Sequence, residues 1–184
     1  MEIKRICKNQ WDSVKDIYME AFPKAERKPF FLLKRAVQKG KSEIWVVLES
    51  GAVAGFIVLI PYRDMVMVEY LAISNKIRSK GTGSKILNEI CRQYAGRRIL
   101  LLIEKIDETA ANNEQRIARK RFYLKNGFAP SGVFAQGVSG YMEILCYGGN
   151  VSGDEFIAVQ TYALGRILFA LSKTKVVKET EIKN

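Results

Sequence analysis

The run Leu71-Ala72-Ile73-Ser74-Asn75-Lys76-Ile77-Arg78-Ser79-Lys80-Gly81-Thr82-Gly83-Ser84 joins an apolar strand to the start of a helix. A helix N-terminus leaves four backbone N–H groups without intrahelical partners and carries a partial positive charge, so it attracts phosphate. Gly81 and Gly83 remove the Cβ atoms that would hold a diphosphate away from those donors, and Arg78 and Lys80 add full charges beside them. Taken alone, the loop is either a pyrophosphate cradle or a tight turn with a solvated basic rim. Two other phosphate motifs are excluded by spacing. A P-loop needs a glycine directly before its lysine, where Ser84 stands before Lys85, and a dinucleotide fingerprint needs glycine where Ile86 stands.

The strand entering this loop, Met65–Ile73, is apolar on both faces except at Glu69. A carboxylate there is costly unless it faces a cleft or a cationic partner. A second buried strand, Arg98–Ile106, carries Glu104. The chain has no histidine, which removes Ser-His and Cys-His catalysis, a histidine base and most metal sites. Acid–base chemistry therefore falls to Glu, Asp, Tyr, Cys, Lys or water.

Further along, Arg121-Phe122-Tyr123-Leu124-Lys125-Asn126-Gly127-Phe128 closes another helix, with Gly127 as a left-handed cap. A strand, then Arg78-x-x-Gly81-x-Gly83, then helix, strand and a helix ending in F-Y-x-x-x-G-F resembles the GNAT superfamily of acetyl-CoA-dependent N-acetyltransferases. The resemblance covers about residues 40–147. It implies acetyl-CoA as acetyl-donor cosubstrate, no metal, and direct attack by a primary amine of a small molecule or a protein. It implies coenzyme contacts from Leu71, Ala72 and Ile73 and from the loop Arg78, Ser79, Lys80, Gly81, Thr82, Gly83 and Ser84. In such a reaction the amine loses a proton, the oxyanion is held and the leaving thiolate is protonated. By the same resemblance Glu69 is the base and Tyr123 the acid; Glu104, on the adjacent strand, is the second candidate for the base. Pantetheine would lie in a gap between Met65–Ile73 and Arg98–Ile106. One position departs from the pattern: Arg116 stands where many members carry a coenzyme-binding asparagine. A non-catalytic acyl-CoA-binding or sensing module of the same fold is the alternative function.

Composition sets the outer limits. The chain has 184 residues, 48% of them hydrophobic, enough for one domain with a full core. The opening Met1-Glu2-Ile3-Lys4-Arg5-Ile6 alternates like a strand and does not read as a signal peptide. Cys7, Cys91 and Cys146 are too few and too scattered for a disulfide framework or a zinc site, and are expected to be buried thiols in a reducing, cytoplasmic compartment. The net charge of +11 suits coenzyme phosphates. Its cations are spread along the chain with few interleaved aromatics, so nucleic acid is not the expected partner.

The elements that must position these residues follow from periodicity. Residues 2–7 read as a strand, Trp11–Ala21 as an amphipathic helix stopped by Pro23, and Pro29–Gln38 as a second helix. Ile44–Glu49 and Ala52–Ile60 form a hairpin across Ser50-Gly51, and Pro61-Tyr62-Arg63-Asp64 turns the chain into Met65–Ile73. A helix to about Tyr94, the strand Arg98–Ile106, a helix from about Asn112 to Asn126, and β segments near Gly132–Ala135 and Tyr141–Tyr147 complete a mixed α/β order. The expected fold is GNAT-like, a central mixed sheet with helices on both faces. Residues 1–150 form the acetyltransferase domain, and 151–184 a C-terminal helical extension. Apolar residues from Phe156 to Leu171 populate most of a helix circumference, but Gln160 and Arg166 interrupt any membrane-length run. That helix is expected to fold back on the domain or to form a subunit interface, as in a homodimer.

Overall fold

In a computed structural model, residues 1–24, 26–75, 81–137, 140–178 and 182 are described. Arg78, Ser79 and Lys80 of the cradle loop lie outside these residues. Eight strands form a mixed sheet in the order β1-β2-β3-β4-β5-β7-β6-β8. The chain divides into two compact units, Met1–Pro61 with Val68–Tyr94, and Tyr62–Met67 with Ala95–Asn184.

The first unit contains β1 (Glu2–Arg5), α1 (Trp11–Ala21), α2 (Phe30–Gln38), β2 (Glu43–Glu49), most of β3 (Ala52–Tyr62), the later part of β4 (Met65–Ile73) and α3 (Thr82–Gln93). In α1, Val14, Ile17 and Tyr18 recur at helical spacing and are all buried. They pack with Leu33 of α2 and with Ile44, Val46 and Leu48, alternate residues of β2. Phe56, Val58, Tyr70 and Ala72 complete the cluster. The β2–β3 hairpin turns through Ser50 (φ 49°) and Gly51 (φ 81°), both left-handed. Two residues with positive φ match the twist of the strands they join. Gly55 lies where β3 meets the end of β4. A Cβ at Gly55 would stand 2.5 Å from Ile73 Cδ1 and 2.7 Å from the Ala72 carbonyl oxygen, so only glycine allows this approach.

The second unit holds β5 (Arg98–Glu104), α4 (Asn113–Lys125), β6 (Ala129–Gly137), β7 (Gly140–Tyr147), α5 (Gly153–Leu164), α6 (Arg166–Ser172) and β8 (Lys175–Lys178). β7 pairs antiparallel with both β5 and β6. Arg98 ties three segments together: its guanidinium meets Asp64 at 2.6 Å, Glu155 at 2.7 Å and the Asn150 carbonyl at 2.9 Å.

The C-terminal segment differs from the expected single helix. Gly165, at φ 80° and ψ 153°, divides it into α5 and α6. The chain then adds β8 to β6, pairing Val133 with Lys178 through Gln136 with Lys175. Among the described residues no helix is long and apolar enough to cross a membrane. The thiols differ as well. Cys91 and Cys146 are buried, and burial pushes both up to about 11, but Cys7 is exposed because β1 ends before it, at Arg5.

Candidate active site

Strand β4 presents Glu69, Leu71 and Ile73 on one face and Tyr70 and Ala72 on the other, by the two-residue period of a strand. The Tyr70 face joins the core cluster with α1 and α2. The Glu69 side chain is 11% exposed, and one of its carboxylate oxygens is held by the ammonium of Lys28. Of the two settings the sequence leaves open for Glu69, the structure shows the cationic partner.

The segment carrying Lys28 is itself anchored. Tyr18 hydroxyl donates to the Lys28 carbonyl at 3.1 Å, and the Lys28 N–H donates to Tyr70 hydroxyl at 3.4 Å. Tyr70 hydroxyl donates in turn to the Glu26 carbonyl at 3.1 Å. Tyr18 and Tyr70 stack edge-on with centroids 5.0 Å apart, and burial raises the pKa of both, so they remain neutral donors. Glu20, at the end of α1, accepts from the Asn75 N–H at 3.2 Å.

At the end of β4, the Ser74 N–H donates to the Ala54 carbonyl at 2.8 Å. Beyond residues 76–80, Gly81 is the N-cap of α3 in the left-handed region, at φ 97°. It has no side chain to cap the helix, and the first turn of Thr82, Gly83 and Ser84 carries no acidic residue. The helical ladder begins with the Lys85 N–H on the Gly81 carbonyl at 3.0 Å. Neither its N-cap residue nor an acidic side chain of its first turn offsets the partial positive charge at this end of α3, which suits an anion.

In the second unit, Tyr123 sits in the last turn of α4, only 9% exposed. Phe128 N–H donates to the Tyr123 carbonyl at 3.1 Å and Gly127 N–H to that of Leu124 at 3.1 Å. With Gly127 at φ 84° and the Phe128 ring 5.8 Å from that of Tyr123, this is a Schellman cap with its hydrophobic contact. The F-Y-x-x-x-G-F run is thus a helix terminator that fixes the backbone of Tyr123. Burial pushes the phenol up to about 12, against a small opposing effect of Arg119. Among the described residues no group shares a hydrogen bond with its hydroxyl.

Glu104, at the end of β5, is surrounded by donors: Arg119 at 2.8 Å, Asn112 at 3.1 Å and Arg116 at 3.2 Å. Arg116 also donates to Asn112 Oδ1 and to the Lys105 carbonyl, each at 2.8 Å. Lys120 pairs with the buried Glu143 at 2.7 Å. Arg116, Arg119 and Lys120 of α4 are therefore all engaged within the unit.

Glu69, Leu71–Ile73 and Gly81–Ser84 belong to the first unit, and Glu104 and Tyr123 to the second. Sequence reasoning missed Lys28. Its partner lies 41 residues away, and nothing local marks this lysine among its basic neighbours.

Residues 40–130 match the model of the acetyltransferase (GNAT) domain. No curated protein matches the chain by sequence. Among solved structures, a GNAT-family protein from Bacteroides thetaiotaomicron superposes with a TM-score of 0.71 at 18% identity, over 92% of this chain and 98% of its own. The aminoglycoside 6′-N-acetyltransferase of Enterococcus faecium does so at 0.62 and 16%, over 80% and 96%. A Bacillus subtilis acetyltransferase in complex with CoA gives 0.60 and 15%, over 79% and 97%. Domain match and fold agree: residues 40–130 form a GNAT acetyltransferase domain.

Proposed function

We propose that the protein transfers an acetyl group from acetyl-CoA to a primary amine by direct attack. The observation that carries this reading is Glu69, a largely buried carboxylate that already binds a primary ammonium, that of Lys28. The acceptor nitrogen would approach the same carboxylate and release its proton there. Backbone N–H groups of Leu71, Ala72 and Ile73 would hold the thioester oxygen. The Thr82, Gly83 and Ser84 end of α3 would take the coenzyme's diphosphate, with Arg78, Ser79, Lys80 and Gly81 completing the cradle. Tyr123, neutral and with no competing partner among the described residues, would protonate the leaving thiolate. Glu104 is the second candidate for the base, but two guanidiniums and an amide already occupy its lone pairs, which favours Glu69.

The relatives support the chemistry. One is named for acetylating an amine of an aminoglycoside, and another holds CoA. The acceptor on this chain would be a small-molecule or protein amine. Free Cys91 and Cys146 suit a reducing, cytoplasmic setting.

The test is a panel of primary amines assayed with acetyl-CoA by free-thiol release. Glu69→Gln is expected to lower turnover by on the order of 10²-fold or more, and Glu104→Gln by much less. Wild-type turnover in Glu69→Gln would remove Glu69 from the mechanism.

A further inference from the structure

We propose that Lys28 is an internal acetyl acceptor, a site of self-acetylation. The inference rests on the reading above that Glu69 receives the acceptor's proton. An acceptor amine served by Glu69 must come within hydrogen-bond distance of its carboxylate, and the Lys28 Nζ is already there. Its placement is built into the fold. Both backbone polar groups of Lys28 are held by buried tyrosines, Tyr18 and Tyr70, which belong to the core of the same unit. The Lys28 side chain is 34% exposed, so its nitrogen is within reach of a second substrate.

The step balances without any further reactant. The Lys28 ammonium gives one proton to Glu69, and the freed nitrogen attacks the thioester carbonyl carbon. A C–N bond forms, the C–S bond breaks, and the nitrogen loses a second proton. One of the two protons ends on the coenzyme thiol and the other in solvent, leaving an amide. The acetylated side chain carries no charge and no longer neutralises Glu69.

The full chain is incubated with acetyl-CoA and no added amine, digested, and followed by mass spectrometry at the Lys28 peptide. The exposed Lys15 and Lys39 report background chemical acetylation. Lys28 is expected to react on the order of 10²-fold faster than they do, at a first-order rate independent of protein concentration, and to lose that advantage in Glu69→Gln. Glu69→Asp, which keeps the carboxylate, is the second variant should Glu69→Gln not fold, and is expected to slow Lys28 while leaving Lys15 and Lys39 unchanged. Acetylation of Lys28 at the background rate, while added amines turn over in a Glu69-dependent way, overturns this inference and leaves the proposed function standing. A fast reaction that survives both changes at Glu69, or that scales with protein concentration, overturns it too. If neither Lys28 nor any added amine is acetylated, the role of Glu69 falls, and this inference with it.

Discussion

Replacing Tyr123 by phenylalanine separates packing from chemistry, because the structure assigns the ring and the hydroxyl different surroundings. The ring packs edge-on against Phe122 and Phe128, at 5.1 and 5.8 Å, and phenylalanine keeps both contacts. The hydroxyl has no partner among the described residues, so its loss breaks no hydrogen bond there and should change stability by less than about 1 kcal/mol. Turnover should respond on a different scale. Removing a general acid costs on the order of 10²–10⁴-fold, or about 3–5 kcal/mol of transition-state stabilisation. Acetyl-CoA affinity should change little. The alkaline range supplies an independent check. Burial raises the phenol from 10.0 to about 12, so the folded state holds its proton more tightly than the unfolded chain. That contribution is fully present below about 10 and is lost as pH rises through about 12, up to about 2–3 kcal/mol in all. Urea denaturation at stepped pH should therefore show wild type losing more stability than Tyr123→Phe across that window. Single-turnover thiol release checks the chemistry. Wild-type single-turnover rates in Tyr123→Phe would refute the acid assignment and leave Tyr123 as a packing residue.

Two other outcomes follow from geometry. Gly55→Ala places a Cβ 2.7 Å from the Ala72 carbonyl, a backbone atom that no rotamer change can move aside. It should displace the Leu71–Ile73 segment, destabilise by about 1–3 kcal/mol and depress turnover, read by thermal melts and thiol release. Glu155 is held at about 2, first by its hydrogen bonds to Arg98 and then by the Ser152 N–H. Its stabilisation is present above about 4.5 and lost as pH falls toward about 2. Because the side chain is 37% exposed, solvent screening limits this to about 1 kcal/mol, and Glu155→Gln should flatten the acid limb of a stability profile accordingly.

The parts of the fold legible in the sequence were those whose signals are local. The apolar spacing of α1, the Ser50-Gly51 turn, the continuous apolar strand β4 and the Gly127 cap each depend on neighbouring residues, and each lies where periodicity places it. Strand β8 was not legible, since Lys175-Val176-Val177-Lys178 is too short to show a period and takes its form from β6. The division between α5 and α6 had one signal, Gly165 within an apolar run, outweighed by the helical pattern around it. At the candidate site, the start of α3 at Gly81 was readable. The pairing of Glu69 with Lys28 was not, and neither was the enclosure of Glu104 by Arg116 and Arg119. A charge pair between distant segments leaves no trace in either one.

The two outermost strands of the sheet, β1 and β8, have only four residues each, and their sequences, Glu-Ile-Lys-Arg and Lys-Val-Val-Lys, are rich in charge. An open sheet presents unpaired N–H and C=O groups at its rims, and short charged strands discourage another molecule from adding to them. Removal of residues 175–184 would strip one guard and uncover β6, nine residues long with only Gln136 as a strongly polar side chain. A chain shortened in that way has an open template for strand addition, so its solubility, more than its active site, is what the deletion would first endanger.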